Sequence, residues 1–268
     1  MRSERAGRRG VTEVVWRHHY PVMGTVFSFA ASAAPAPGAV ASVEAELDRI
    51  ERVFSTYRHD SEVNALADGR RPLSRCSPDV QEVLELCAEA RVLTGGYFNA
   101  LHSGRLDPTG LVKGWAVART AAMLADAGVR RYAVNGGGDI LTSADPALDE
   151  PWRIGVTDGD AVVARVCGHN VAVATSGNTE RPGLVVDPFT ERVALALRAV
   201  TVAGADVVLA DAVATAALAM GDQAFGWLAG RPEFAGLVIT ADGTVSITRG
   251  FTKVDPAPPA VTSGSRRS

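Results

Sequence analysis

The spacing of apolar residues divides the chain into an early helical part and a later strand-rich part. Val22 to Phe29 has the β-branched and aromatic content of a strand, with Val14 to Trp16 as a second short candidate. Pro35, Pro37 and Gly38 break the pattern. Val40, Val43, Leu47, Ile50, Val53 and Phe54 then recur at helical spacing, with Glu and Arg on the other face. Ser77-Pro78 reads as an N-cap followed by a first-turn proline. The helix it opens carries Val80, Val83, Leu84, Cys87 and Val92, and stops at Gly95-Gly96. Residues 103–111 read as a loop, and a third helix is expected from Val112 to Ala127.

Beyond Gly128 short apolar segments alternate with turn residues: Tyr132–Val134, Trp152–Val156, Val162–Val166, Val171–Ala174, Leu184–Val186 and Ala194–Val202. Asp206 to Met220 is expected to be helical, and Phe225–Leu228 to continue that structure. Leu237–Thr240 and Val245–Thr248 read as a hairpin across Asp242-Gly243. Helices first and strands later predict an α+β fold with a mixed or antiparallel sheet. Residues 13–254 form the expected single domain, between a basic tail (1–12) and a Pro-, Ser- and Arg-rich tail (255–268), both expected to be disordered.

Composition narrows the function. The chain has 268 residues, 47% of them hydrophobic, enough for a substantial core. Its net charge of -3 speaks against a nucleic-acid binder, which favours a basic face. A phosphate ligand would then be held by a metal ion or by backbone N–H groups. Cys76, Cys87 and Cys167 match no zinc spacing and read as reduced residues, in keeping with a cytoplasmic location. No apolar h-region follows Arg2, Arg5, Arg8 and Arg9, and no membrane span is expected.

Four segments carry candidate chemistry. Asp211 and Thr215 stand four apart on one helix, so a carboxylate and a hydroxyl share a face among small apolar residues. They are either a hydrogen-bonded core pair or oxygen ligands for magnesium, which would offset the burial of the charge. Leu106 to Trp115 is a loop entering a helix, an ordinary start or a phosphate-binding one; Lys113 would sit in the first turn and a carbonyl near Gly110 would be available. Asn135-Gly136-Gly137-Gly138-Asp139 is a glycine-rich turn between strands, matching neither phosphate-binding glycine motif. Thr175-Ser176-Gly177 places hydroxyls at a strand end. Ser176 lacks the elbow of a hydrolase nucleophile.

Taken in order, these segments resemble the ApbE family of FAD:protein FMN transferases. Met23-Gly24-Thr25 resembles its early MGT. Phe54-Ser55-Thr56-Tyr57, Ser61-Glu62 and Asn64-Ala65-Leu66 are similar to its FSxY…SE…L stretch, and Thr94 to Asn99 to its T-x-G-x-F-D. The likeness covers residues 20 to 250. It implies an ApbE-like fold with FAD in a cleft between lobes, contacted by Met23, Tyr57, Tyr97, Phe98 and Asn99. Asp107 and Lys113 would hold the FAD, with Gly137, Asp139, Thr175, Ser176 and Gly177 along the same site. Magnesium would be held by the Gly110 carbonyl, Asp211 and Thr215, with Asp211, Thr215 and Lys113 as the catalytic set. The implied acceptor is a Ser or Thr hydroxyl of a flavoprotein, with AMP released.

Two positions depart from the family pattern. Asn99 stands where an aspartate is usual. Leu184 stands where the family's H-I-x-D-P carries a histidine, its natural general base, and leucine takes no proton. A working transferase, an FAD pyrophosphatase and a flavin-binding protein without transfer are the three readings this leaves.

Overall fold

The computed structural model describes residues 13–102, 104–178 and 185–254. Leu184 and both expected tails lie outside these residues. The chain opens with β1 (Trp16–Val22) and β2 (Thr25–Ala31), paired antiparallel. The single strand expected over Val22–Phe29 is therefore a hairpin. Its turn, Met23 (φ 56°) and Gly24 (φ 67°), has both central residues left-handed, the geometry that matches strand twist. Methionine is not a residue that announces such a turn, which is why the sequence reads through it.

Three helices follow: α1 (Pro37–Phe54), α2 (Glu62–Ala67) and α3 (Pro78–Leu93). α1 buries Val43, Leu47, Ile50, Val53 and Phe54, the row its periodicity predicted. Ser77 occupies the N-cap position of α3, yet its hydroxyl makes no capping bond; its N–H instead donates to Glu62 at 2.7 Å. After β3 (Leu101–His102) and β4 (Arg105–Leu106) comes α4 (Thr109–Asp126). It starts three residues before the expected Val112, so Gly110 lies inside its first turn and Lys113 one turn further on.

The remaining elements are β5 (Tyr132–Gly136), β6 (Asp139–Ser143), β7 (Trp152–Asp158), β8 (Ala161–Gly168), β9 (Ala172–Gly177), β10 (Val186–Asp187), β11 (Arg192–Val193), β12 (Leu197–Gly204), α5 (Val207–Met220), α6 (Ala224–Ala229), β13 (Ala235–Thr240), β14 (Val245–Ile247) and β15 (Thr252–Lys253). Eight strands form one sheet in the order β1-β2-β5-β6-β9-β12-β13-β14, and β15-β8-β7 form a second. Every pairing is antiparallel. The fold is α+β, as expected.

Period-2 alternation divides the large sheet between two cores. Ala172, Ala174, Val200, Val202 and Val238 face the helices. Val173, Ala203, Leu237 and Ile239 face the small sheet and pack on Ile154, Val156, Ala164 and Val166. The helix α5 lies in the first core and buries most of its residues, including Asp211. Val207–Ala229 is long and apolar enough to cross a bilayer by length and composition alone, but most of that stretch is buried in the protein. Gly221 (φ 57°) also breaks it between α5 and α6.

α4 and α5 approach closely at Gly114. A Cβ there would stand 2.7 Å from the Val207 carbonyl oxygen and 2.9 Å from the Asp211 Cβ. Gly114→Ala is expected to destabilise the fold by about 1–3 kcal/mol, as overpacking does when the obstructing atom is backbone. Chemical denaturation measures it.

Candidate functional site

A cleft of about 870 Å3 opens where the start of α4, the middle of α5, the β5–β6 turn and the end of β9 meet. The helix start contributes Asp107, Gly110 and Lys113. α5 contributes Asp211 and Thr215, β9 contributes Thr175, Ser176 and Gly177, and the turn contributes Gly137. Met23, Tyr97, Phe98 and Asn99, also predicted, lie on the walls. Four segments far apart in sequence therefore converge on one cavity.

At the floor stands a set of oxygen donors. Thr215 Oγ1 donates to the Gly110 carbonyl at 3.3 Å and shares a hydrogen bond with Ser176 Oγ at 2.9 Å. One turn earlier on α5, Asp211 Oδ2 accepts from the Gly114 backbone N–H at 2.9 Å. A carbonyl, a hydroxyl and a carboxylate thus lie together. All are hard oxygen ligands, few in number, the donor chemistry that suits magnesium while leaving positions for phosphate. The described residues hold no cluster of three His, Cys, Asp or Glu side chains that could hold a metal ion.

Electrostatics favour a cation at this point. Asp211 is 1% exposed. Burial, reinforced by the charge of Asp139, pushes its carboxyl up to about 8. Asp139 is fully buried and is also raised by burial, which the Lys113 ammonium 2.6 Å away opposes. One cation thus serves two buried carboxylates, leaving the site short of positive charge when both ionise. A divalent ion beside Asp211 would hold that carboxylate ionised.

Asp139 sits beneath the cleft wall, not on it. Its second oxygen accepts from the Thr175 N–H at 3.4 Å. The β5–β6 turn crosses above through Gly137 (φ 66°) and Gly138 (φ 101°), and a Cβ on Gly137 would meet Thr25 Oγ1 at 2.6 Å. Backbone conformation and close approach both require glycine there.

Several motif residues hold loops and do not face the cleft. Thr94 Oγ1 donates to the Ala90 carbonyl and accepts from the Phe98 N–H, tying the Tyr97–Asn99 wall to the end of α3. Buried Ser61 caps α2, and the Asn64 amide donates to the carbonyls of Ser55, Thr56 and Arg58. Tyr57 requires a correction. Its ring is 87% exposed and lies outside the cleft lining. The Asn64 bonds turn its loop so that this side chain points into solvent.

The cleft has further walls. The β7 segment Ile154–Asp158 lines it, as do Pro188 and Glu191 after β10. β7 reads as an ordinary half-buried strand, and only its pairing with β8 brings it there. Phe189 packs edge-on against Tyr97 with ring centroids 4.8 Å apart. Glu191 has φ 56°, a left-handed conformation at a non-glycine residue.

The ApbE family model matches residues 23–104 and 100–238. The FAD:protein FMN transferase of Vibrio cholerae serotype O1 is 25% identical over 269 residues, covering 76% of this chain and 80% of that protein. The enzyme of the same name from Rhodobacter capsulatus is 31% identical over 156 residues, 54% of this chain and 30% of that protein. The solved ApbE protein of Thermotoga maritima superposes with a TM-score of 0.77 at 20% identity, covering 87% of this chain and 97% of its own. The flavinyl transferase ApbE of Pseudomonas stutzeri gives 0.73 at 22%, covering 89% and 96%. The likeness in fold runs through almost the whole described chain, and with the family model matching both halves of the cleft, this chain belongs to the ApbE family.

Proposed function

We propose that this chain is a magnesium-dependent FAD:protein FMN transferase. The observation that carries this is the convergence of the Gly110 carbonyl, Asp211 and Thr215 at the floor of a cleft large enough for a dinucleotide. The names of the relatives agree with it. The pyrophosphate of FAD would lie over those donors, with Tyr97, Phe98 and Met23 along the bound molecule and Asp107 and Asn99 offering polar contacts. Bound magnesium would polarise a phosphoryl oxygen and neutralise charge.

The chain's own groups then have defined tasks. Gly114 N–H and the α4–α5 contact hold Asp211 in place. Ser176 and Gly110 fix the Thr215 hydroxyl. Asp139 anchors the Lys113 ammonium at the edge of the cleft, where it faces the phosphates. A Ser or Thr oxygen of the acceptor attacks the FMN phosphorus, the P–O bond to the AMP phosphate breaks, and AMP departs. The hydroxyl proton must leave at the same time.

Leu184 favours a second reading, in which water takes the place of the acceptor and FMN and AMP are the products. One incubation separates the two. The protein, FAD, magnesium and a recombinant flavoprotein domain are combined, mass spectrometry reports an FMN adduct on the domain, and chromatography reports AMP. An adduct with stoichiometric AMP is the expected result. AMP with free FMN and no adduct supports the pyrophosphatase. Calorimetry is expected to show FAD binding strengthened by magnesium, and no binding in its presence would overturn the site itself.

A further inference from the structure

The transfer needs a group to take the hydroxyl proton, and no histidine whose side chain is described lines the cleft. Among the described residues His18 is bonded to Glu44, His19 to Ser28 and His169 to the Asp149 carbonyl. His59 is exposed, and none of these four lines the cleft.

Four acidic residues line it: Asp107, Asp158, Glu191 and Asp211. Three have other work. Asp107 accepts from the Thr109 N–H and hydroxyl at 2.9 and 2.6 Å. Both oxygens of Asp158 accept from Arg198, at 3.0 and 2.7 Å. Asp211 is bonded to Gly114 and belongs to the magnesium donors. The Glu191 carboxylate alone among the four has no hydrogen-bond partner among the described residues.

Its backbone is unusual as well. Glu191 adopts φ 56°, which a side chain with a Cβ takes only at a cost and glycine takes freely. The turn that imposes this is tightly built. Asp187 accepts from the Phe189 N–H at 2.9 Å and the Thr190 hydroxyl at 2.8 Å, and Glu191 N–H donates to the Asp187 carbonyl at 2.8 Å. Glu191 is exposed at the cleft wall, and a left-handed backbone at a non-glycine residue that lines a cleft is the kind of outlier that marks function. The position lies a few residues beyond Leu184, on the Asp187-Pro188 turn of the same motif.

We infer that Glu191 is the general base of the transfer reaction, in place of the missing histidine. Its carboxylate takes the proton of the attacking hydroxyl as the oxygen–phosphorus bond forms and the bond to AMP breaks, then returns it to solvent. This rests on the transferase reading.

The test measures AMP release from FAD with magnesium, with and without a flavoprotein domain bearing an acceptor threonine. Glu191→Gln is expected to lower kcat on the order of 10²–10⁴-fold, with FAD binding by calorimetry unchanged. Glu191→His is expected to restore part of the rate and to move the acidic limb of the pH–rate profile upward towards the imidazole range. Glu191→Gly separates function from strain, with a higher melting temperature and a rate as low as that of the glutamine variant. If the wild-type chain releases AMP and Glu191→Gln or Glu191→Gly does so equally fast, the base assignment is wrong and the transferase reading stands. If the wild-type chain releases no AMP while binding FAD, both fall.

Discussion

Asp211→Asn is expected to reduce AMP release from FAD to background and to remove the effect of magnesium on FAD binding, while the protein stays folded. The fold survives because burial keeps the Asp211 carboxyl up to about 8, so at neutral pH without a cation the folded chain already carries it largely protonated. Asparagine copies the size and polarity of that neutral form. It also leaves an oxygen for the Gly114 N–H. What it cannot copy is the charge that a magnesium ion requires.

The wild-type protein should show the complementary pH dependence. The folded carboxyl is raised above its unfolded value, so the folded state binds more protons between roughly pH 4 and 8, and stability without magnesium falls as pH rises through that window. Magnesium binds the ionised form, so its stabilisation of the melting temperature should grow from pH 6 to pH 8 and be absent in the variant. Unchanged AMP release by Asp211→Asn, or an equal magnesium effect in both proteins, would remove the metal site.

The donors of that site were legible in the sequence because helical spacing is local. Asp211 and Thr215 share a face whatever surrounds them, and small residues around them announce burial. The Gly110 loop and the Thr175–Gly177 strand end could be singled out but not joined, since their meeting depends on which strands pair. The order β5-β6-β9-β12 is a non-local fact, and apolar alternation says only that each strand has two faces. Tyr57 was placed in the cleft by its motif, whereas the Asn64 amide bonds direct it outward. The Met23-Gly24 turn escaped notice because its first residue is one that rarely turns. β7 gave no warning of its role for the opposite reason, since nothing in its sequence differs from a plain strand.

The largest effect on stability is expected at Lys113. This ammonium is 2.6 Å from the Asp139 carboxylate, which has no exposure of its own. Lys113→Met keeps most of the apolar stem and removes the charge. Breaking a buried pair from one side typically costs about 3–5 kcal/mol, because the remaining charge is stranded in a medium that cannot solvate it. Here the stranded partner has an escape. Burial already raises Asp139, and loss of Lys113 removes the main influence opposing it, so the carboxyl will take up a proton. The cost should therefore be small at acidic pH and grow as pH rises, since the folded variant must then either hold its proton or bear the charge. Adding Asp139→Asn removes the stranded charge, and the double variant should recover most of the loss at pH 8, although Asp139 also accepts from Thr175 N–H. Denaturant melts of the wild type, both single variants and the double variant at pH 5 and pH 8 measure this coupling. A Lys113→Met destabilisation that does not change with pH, or a double variant no better than the single, would show that the pair does not carry the charge balance of the cleft floor. Turnover should stay low in the double variant even where stability returns, because the ammonium proposed to face the phosphates is still missing.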